Sequence, residues 1–461
     1  MPRLPVTRRA ISPDGSACRI GTVNARDFAG RPAARGRGPG ERGRGFGVGA
    51  SQVDIVIVGA GAAGLAAART ARRLGLSCVV FESMDRIGGR AFTSSEPFGE
   101  PWDLGCHWLH SADVNPFRLL ADEYGFRYRD EPSDWCAFGP DGWATPDQLA
   151  AIDRAVDAAR LRAELAGVAG RDVPVSEVAE IDGPAADAFR LQMAGEWGVE
   201  PDRVSTLDLA RYRDSGHDWP VADGYGALVA RHARGIPVEL GTPVSRIEWG
   251  GPGVRVTTPE GAVSAATVVV TASTNALASG AIEFDPPLPV WKQEAIDSVP
   301  LGLANKVGIA IPGDMLGVED YTSVMVSVAP GRTMSYQLRP FGRDFANAYL
   351  AGTICDELRD EGPGAAEAAA IDGLAAMLGN DMRKHVRATA TTCWELEPSI
   401  LGAYAASRPG CGHRRAELAI PLADKVFFAG EAMHPQYFST CHGADMTGEA
   451  AVLAIADRLR A

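Results

Sequence analysis

Three glycines, Gly59, Gly61 and Gly64, follow the apolar run VDIVIV at 53 to 58 in a G-x-G-x-x-G spacing, and Glu82 lies 18 residues beyond the last of them. A short β-branched run before the glycines reads as a buried parallel strand. Ala63 and the alanines and leucine that follow begin a helix running to about Leu74, which Gly75 can end; 77 to 81 reads as a second parallel strand. In that setting each residue has a task. Gly59 permits the tight turn, Gly61 lets the backbone approach a pyrophosphate, and Gly64 lets the helix pack closely on the strand. The helix N-terminus offers free N–H groups to the phosphates, and Glu82 stands where a carboxylate can accept ribose hydroxyls. The stretch specifies a dinucleotide site but does not separate NAD from FAD.

Other residues with chemical potential are scattered. Lys306 stands at the edge of the apolar run 305 to 311, where a lysine is ordinarily a solvated charge; Trp394 and Tyr404 are aromatics in a chain that is 46% hydrophobic, where aromatics ordinarily fill the core. His110 could equally be a satisfied structural histidine. The eight cysteines show no C-x-x-C and no ligand-like pairing with histidine, so no metal site is expected, and a reducing, cytoplasmic setting is.

The elements that must position these residues follow from the remaining text. A helix is expected over 117 to 124, an Ala-rich helical insertion over 146 to 198, and another helix over 223 to 233. Four short β-like runs between 242 and 271 suggest a hairpin meander. A strand is expected over 305 to 311, two more near 325 to 327 and 333 to 338, a helix over 365 to 378, a strand over 425 to 428 and a final helix from about 443 to 460. The fold class is therefore α/β. A Rossmann-like dinucleotide-binding domain with a β-meander (51–110, 221–285 and 391–461) is interleaved with a mixed α+β substrate domain (111–220 and 286–390). Such interleaving leaves a cleft between the two, a usual place for a ligand.

Residues 1 to 50 differ from the rest, with ten Arg, no Lys and three acids. They cannot bury a core and read as a disordered Arg/Gly-rich tail. A targeting segment and an overcalled start are the other readings, and export or organelle targeting stays open beside the cytoplasmic expectation. The whole chain carries net charge −13; removing the tail's ten Arg and three acids leaves 35 basic against 55 acidic residues, or −20. So acidic a body argues against nucleic acid and can favour cationic ligands by steering. No apolar run is long enough to span a membrane, and the sequence does not set an oligomeric state.

Taken together, GAGAAG, Glu82, DRIGGR at 85 to 90, DLGCHWLH at 103 to 110, TPVSRIE at 242 to 248, NKV at 305 to 307, Trp394 with LGAY at 401 to 404, and FFAGE…STCHGADMTG at 427 to 448 resemble the flavin-containing amine oxidases. The family includes monoamine oxidases, polyamine oxidases and lysine-specific histone demethylases, and the motifs span nearly the whole chain beyond the tail. The resemblance implies FAD, with Gly89 and Arg90 near the diphosphate and ribityl region, Val244 at the adenine, and Glu431 at the ribityl chain. It places Gly105, His107 and Trp108 in a further cofactor-binding motif. It also implies that backbone groups around His442, Gly443 and Ala444 face the pyrimidine end. A helix N-terminus there suits the negative charge of a reduced flavin.

For the chemistry, the resemblance implies that Lys306 holds a water near the flavin and aids reoxidation, its pKa depressed by burial. Trp394 would lie beside the ring and Tyr404 would form one wall of an aromatic cage for the amine. Ala403 stands where monoamine oxidases carry the cysteine that binds FAD covalently, so noncovalent FAD is implied. Thr440 stands in place of the second cage tyrosine, which resembles the demethylases. His110, in W-x-H, resembles the animal polyamine oxidase pattern, and Glu196 and Asp208 are further candidate polyamine contacts. The implied reaction is oxidation of a primary or secondary amine, a polyamine among them, to an imine by hydride transfer, with molecular oxygen reduced to hydrogen peroxide. An L-amino-acid oxidase, using Arg213 or Arg339 for the carboxylate, is an alternative. So is a flavin-binding protein without turnover. Desaturases and porphyrinogen oxidases share only the N-terminal fingerprint, and the long insertion usual in histone demethylases is not seen in this sequence.

Overall fold

A computed structural model describes residues 53 to 460 apart from 132, 134, 330 and 331. The Arg/Gly-rich tail lies outside the described residues.

β1 (Val53–Val58) is buried from Ile55 onward, as its β-branched sequence dictates. It pairs in parallel with β2 (Cys78–Phe81) on one side and with strand Gly261–Val270 on the other. Between β1 and β2, α1 (Ala62–Arg73) buries a face made almost wholly of alanine, and Gly75, at φ 74°, turns the chain out of it. The last helix, Cys441–Arg460, packs on α1. Small residues permit the approach: a Cβ on Gly448 would meet the Ala63 carbonyl oxygen at 2.0 Å.

The meander differs from the sequence expectation. The runs at 262 to 265 and 267 to 272 are not two strands but parts of one, Gly261–Val270, which leaves three meander strands rather than four. The alanine junction read as a break is where the strand changes neighbour. Its first half pairs antiparallel with Val254–Thr258, and its second half pairs in parallel with Val426–Phe428. Gly253 is needed beside it, since a Cβ there would lie 2.5 Å from the Ala265 carbonyl.

A second seven-stranded sheet runs in the order 388–391, 304–310, 345–351, 332–338, 322–329, 135–139 and 142–143. Its pairings are antiparallel except that of 322–329 with 135–139. In the pairing of Ala304–Ala310 with Phe345–Ala351, Lys306 stands opposite Tyr349. Helix Ala365–Leu378 covers this sheet, and Tyr336 donates its hydroxyl to the Ala370 carbonyl at 2.8 Å.

The helical insertion opens with helix Pro146–Val168, started by a reciprocal capping box between Thr145 and Gln148. Helix Gly183–Trp197 packs beside it over a core that includes Phe189, Met193, Trp197 and Phe438. Below that core, Asp208 and Arg415 form a fully buried ion pair, with Arg415 stacked over Phe438 at 3.8 Å. Asp208 is therefore not a substrate contact: its carboxylate is consumed by Arg415 and by the Ser407 N–H.

Candidate active site

At the nucleotide end, most of the work is done by backbone. Gly59 has φ +100° and sits against Thr271, while a Cβ on Gly64 would lie 1.9 Å from the Gly59 carbonyl oxygen, so helix and strand touch backbone to backbone. Gly61, the first cap of α1, has open space where a side chain would be, and α1 has no side-chain cap of its own. Ala63 follows, buried, in its first turn. Glu82 is 5% exposed and accepts the Ala60 N–H at 2.6 Å and the Met84 N–H at 2.9 Å. A carboxylate offers about four acceptor sites, so capacity is left over. Glu82 also ties in Val244, because its carbonyl accepts the Thr242 N–H at 2.8 Å two residues earlier. Gly88 bridges to Gly61, and Gly89, at φ +56°, lies against the Gly61 Cα.

Arg90 carries the site onward. Its guanidinium donates to Glu431 at 2.9 Å and to the Ala403 carbonyl at 2.5 Å; the other Glu431 oxygen accepts the Ser439 N–H at 3.0 Å. Segments 313 and 341 residues along the chain from Arg90 are thus pinned to it at one point. Ala403 has no thiol to offer.

Lys306 is not the solvated edge charge its sequence position suggests. It is 8% exposed, and its ammonium donates to the Asp103 carbonyl at 2.9 Å and the Gly105 carbonyl at 2.6 Å. Burial pushes its pKa down to about 8, partly offset by the negative charge of Asp103. Gly105 has to be glycine, since a Cβ would strike the Arg90 carbonyl oxygen at 1.8 Å and approach the Trp394 ring at 3.2 Å. Trp394 donates its indole N–H to the Leu104 carbonyl at 3.1 Å. The rings of Trp108 and Tyr349, 5.3 Å apart, each stand just under 6 Å from the Lys306 ammonium.

His107 sits beside this group but turns inward. Its Nδ1 bonds Asp103 at 2.8 Å and its Nε2 lies 3.4 Å from the Tyr321 hydroxyl. Both ring nitrogens are engaged by protein, so its side chain supports the motif rather than reaching a ligand. Burial would raise the pKa of Asp103, but the hydrogen bond and charge of His107, with Lys306 behind, hold it below the usual carboxylate range.

Tyr404 is half-buried and its hydroxyl donates to the Gly195 carbonyl, linking the expected cage wall to the helical insertion. Thr440 is not a free wall. Its hydroxyl donates to the Tyr437 carbonyl at 2.6 Å and accepts the Gly443 N–H at 3.0 Å, which makes it the cap of the last helix. Ala444 donates its N–H to the Thr440 carbonyl, and Gly443 allows the Tyr437 carbonyl to approach. His110 bonds Asp218 through Nδ1 at 2.9 Å. Glu196, expected from sequence to be a polyamine contact, is bound by Arg160 and Gln192 on the wall of a half-open cavity of about 570 Å³ that Arg213 also lines. Arg339 is paired with Asp320 at 2.9 Å.

His442 has the clearest unmet need. Asn115 accepts the Phe117 N–H with its Oδ1, so its amide nitrogen donates to the His110 carbonyl and to His442 Nδ1 at 3.2 Å. That leaves the hydrogen of His442 on Nε2. Nε2 is buried and finds no acceptor among the described residues. Burial pushes the His442 pKa down to about 3, with the charges of His110 and His434 adding, so the ring is neutral.

A family model described as flavin containing amine oxidoreductase matches residues 185–456, more than half of the chain. The chain belongs to that family. An NAD(P)-binding Rossmann-like model matches 57–124, from the end of β1 through α1 and β2. Polyamine oxidase 2 of Arabidopsis thaliana is 27% identical, the match covering 84% of each chain. Lysine-specific histone demethylase 2 of Homo sapiens is 26% identical over 84% of this chain but 51% of its own length. Among solved structures, a putrescine oxidase bound to putrescine shares the fold at TM-score 0.74 with 22% identity, covering 90% of this chain and 100% of that one. A cyclohexylamine oxidase from Brevibacterium oxydans does so at 0.73 with 24% identity, covering 89% and 100%.

This family of oxidoreductases acts on amines and uses FAD, and the residues present fit it. The uncapped start of α1 faces open space at Gly61, Glu82 has spare acceptor capacity, and His442 holds a buried donor without an acceptor among the described residues. The glycine turn with Glu82 would hold the adenosine diphosphate part, and the Arg90–Glu431 pair the ribityl region. With alanine at 403, FAD is held noncovalently. Sequence reasoning did not single out Asp103, Asn115, Asp218 or Tyr349. The motif DLGCHWLH contains Asp103, but nothing in its spacing reveals that it bonds the Tyr225 N–H, 122 residues away.

Proposed function

We propose that this chain oxidises a primary or secondary amine, with polyamines as the substrate class, to an imine, using molecular oxygen as the acceptor and releasing hydrogen peroxide. Bound FAD supplies the two-electron acceptor for the hydride that leaves the carbon next to nitrogen. The protein's part is positional. Trp394 would lie beside the flavin ring and Tyr404 would wall the amine, while the buried Lys306, held by two backbone carbonyls, sets a polar point that would hold a water near the ring and aid reoxidation. The observation that carries the reading is Lys306: a buried ammonium, lowered to about 8, held by the Asp103 and Gly105 carbonyls beside the aromatic pair Trp108 and Tyr349. The relatives named polyamine oxidase and the putrescine-bound oxidase fold support the substrate class.

On this reading the chain divides into an FAD-binding part (51–110, 221–285, 391–461) and a substrate part (111–220, 286–390), and works in the cytoplasm. An amine panel on the purified yellow protein, with peroxide as readout, tests the reaction. Release of peroxide with di- and polyamines is expected. Peroxide with L-amino acids alone would move the assignment to an amino-acid oxidase, and none with any amine or amino acid would leave only a flavin-binding protein.

A further inference from the structure

Two cysteines far apart in the chain meet beside the loop that holds Lys306. Cys106 follows Gly105, whose carbonyl accepts the Lys306 ammonium at 2.6 Å, and its own N–H donates to the Arg90 carbonyl at 3.1 Å. Cys441 is the first residue of the last helix, directly after Thr440, whose hydroxyl accepts the Gly443 N–H at 3.0 Å. Cys106 packs against the core cluster that contains Cys441, and the two thiols are in hydrogen-bond contact with each other. Both backbones are therefore anchored, and both cysteines are free thiols.

The surroundings of the two sulfurs differ. Cys441 is buried, while Cys106 is half-buried. The hydrogen bond from Cys441 holds the Cys106 thiol below its ordinary value against the opposing effect of burial, and the positive charges of Arg90 and Lys306 add to it. The same hydrogen bond, together with burial, holds Cys441 well above its ordinary value. The pair thus divides into a reachable member that ionises readily and an enclosed member that keeps its proton. Desolvation pushes up the thiols of Cys78, Cys355 and Cys393, the last of these on an exposed residue.

We propose that Cys106 and Cys441 form a modification site at which hydrogen peroxide converts two thiols into a reversible disulfide. The Cys106 thiolate attacks one oxygen of peroxide. A sulfur–oxygen bond forms, the oxygen–oxygen bond breaks, and the departing hydroxide takes up the proton that Cys106 released and leaves as water. The Cys441 sulfur then attacks the sulfur of the Cys106 sulfenic acid. The disulfide forms, and the expelled hydroxide takes the Cys441 proton as a second water. Two thiols lose two electrons and one peroxide gains them. The bond ties the loop that holds Lys306 to the first turn of the last helix. Transient disulfides of this kind are the ones a reducing compartment permits. That turnover of this chain supplies the peroxide rests on the amine-oxidase reading above; the reactivity of the pair does not.

The test exposes the holoenzyme to hydrogen peroxide, alkylates the remaining thiols with N-ethylmaleimide under denaturing conditions, and maps non-reduced peptides by mass spectrometry. A cross-link between the Cys106 and Cys441 peptides is expected, formed at least about tenfold faster than oxidation of the exposed Cys393 and reversed by dithiothreitol. In Cys441→Ala, a Cys106 sulfenic acid trapped by dimedone is expected in place of the cross-link. Oxidation of Cys393 while Cys106 and Cys441 stay reduced overturns the proposal. So does Cys106 carried to the sulfinic acid in the wild type with no cross-link. The wild-type map decides both outcomes even if the variant does not fold. A second arm replaces added peroxide with turnover of whichever amine in the panel above releases most peroxide, and the same cross-link is expected. A cross-link from added peroxide but none during such turnover overturns the enzyme as its own source of oxidant. A protein that releases no peroxide with any amine overturns the amine-oxidase reading, and the added-peroxide arm still decides the pair.

Discussion

The nucleotide end and the ring end of the site are built from different materials. At the nucleotide end the determinants are backbone: Gly59 in a left-handed turn, Gly64 in contact with the Gly59 carbonyl, and an uncapped α1 facing open space at Gly61. At the ring end they are side chains already bound to distant partners. Lys306 bonds the carbonyls of Asp103 and Gly105, Tyr404 the carbonyl of Gly195, and Thr440 the first turn of the last helix. Backbone geometry is written locally and tolerates almost no substitution. Side-chain networks are written across the chain and fail in graded ways.

That contrast can be broken or sharpened by substitution. The largest effect is expected from Arg415→Met, which leaves the Asp208 carboxylate buried without its charge partner. It should cost about 3–5 kcal/mol in urea unfolding, and a loss below about 1 kcal/mol would show that the pair contributes no more than a surface pair does. Gly64→Ala comes next. Backbone meets backbone there, so strain of about 3 kcal/mol is expected together with loss of retained FAD, read from the flavin absorbance after gel filtration. An alanine variant that kept its flavin would remove the backbone half of the comparison.

Lys306→Met should retain FAD yet slow flavin reoxidation about tenfold or more, followed by stopped-flow absorbance. Full retention of the rate would remove the assigned role. Stability offers a separate reading. Burial holds Lys306 near 8 in the folded protein against 10.5 when unfolded, so the unfolded chain binds more protons between those values. This lysine's contribution to stability therefore rises with pH across that window. Urea unfolding of wild type and variant at the two ends of the window should show that rise in the wild type and a flatter profile in Lys306→Met.

Thr440→Ala should have the smallest effect, about 1 kcal/mol of stability from loss of a helix cap, with the ratio of kcat/KM among amines unchanged. A changed substrate order would return Thr440 to the cage wall.

The same contrast explains what was legible in the sequence. The spacing of Gly59, Gly61, Gly64 and Glu82 translates directly into β1, α1 and β2 because every contact involved is local or runs between adjacent strands. The helix at 365 to 378 and the start of the helical insertion at Pro146 were legible from helical spacing and composition. Strand Gly261–Val270 was misread as two because its neighbour changes midway, and a switch of partner leaves only an alanine pair in the text. Asp208 was read as a ligand contact because its partner, Arg415, lies 207 residues on. Asp218 and Asn115 escaped notice for the same reason, since their partners His110 and His442 are 108 and 327 residues away. An acid or amide has no periodicity that announces a distant partner.

The packing of the last helix on α1 has a consequence for the order of events during synthesis. The glycine turn and both flanking strands emerge from the ribosome early, but the alanine face of α1 stays uncovered until Cys441–Arg460 has been made. Strand Val426–Phe428, which completes the sheet beside Gly261–Val270, arrives just as late. The first sheet is thus begun early and completed late, and the intervening segments fold while that apolar face waits. Removal of Cys441–Arg460 is expected to cause a sharp loss of soluble protein on expression, because the apolar face it covers would stay exposed.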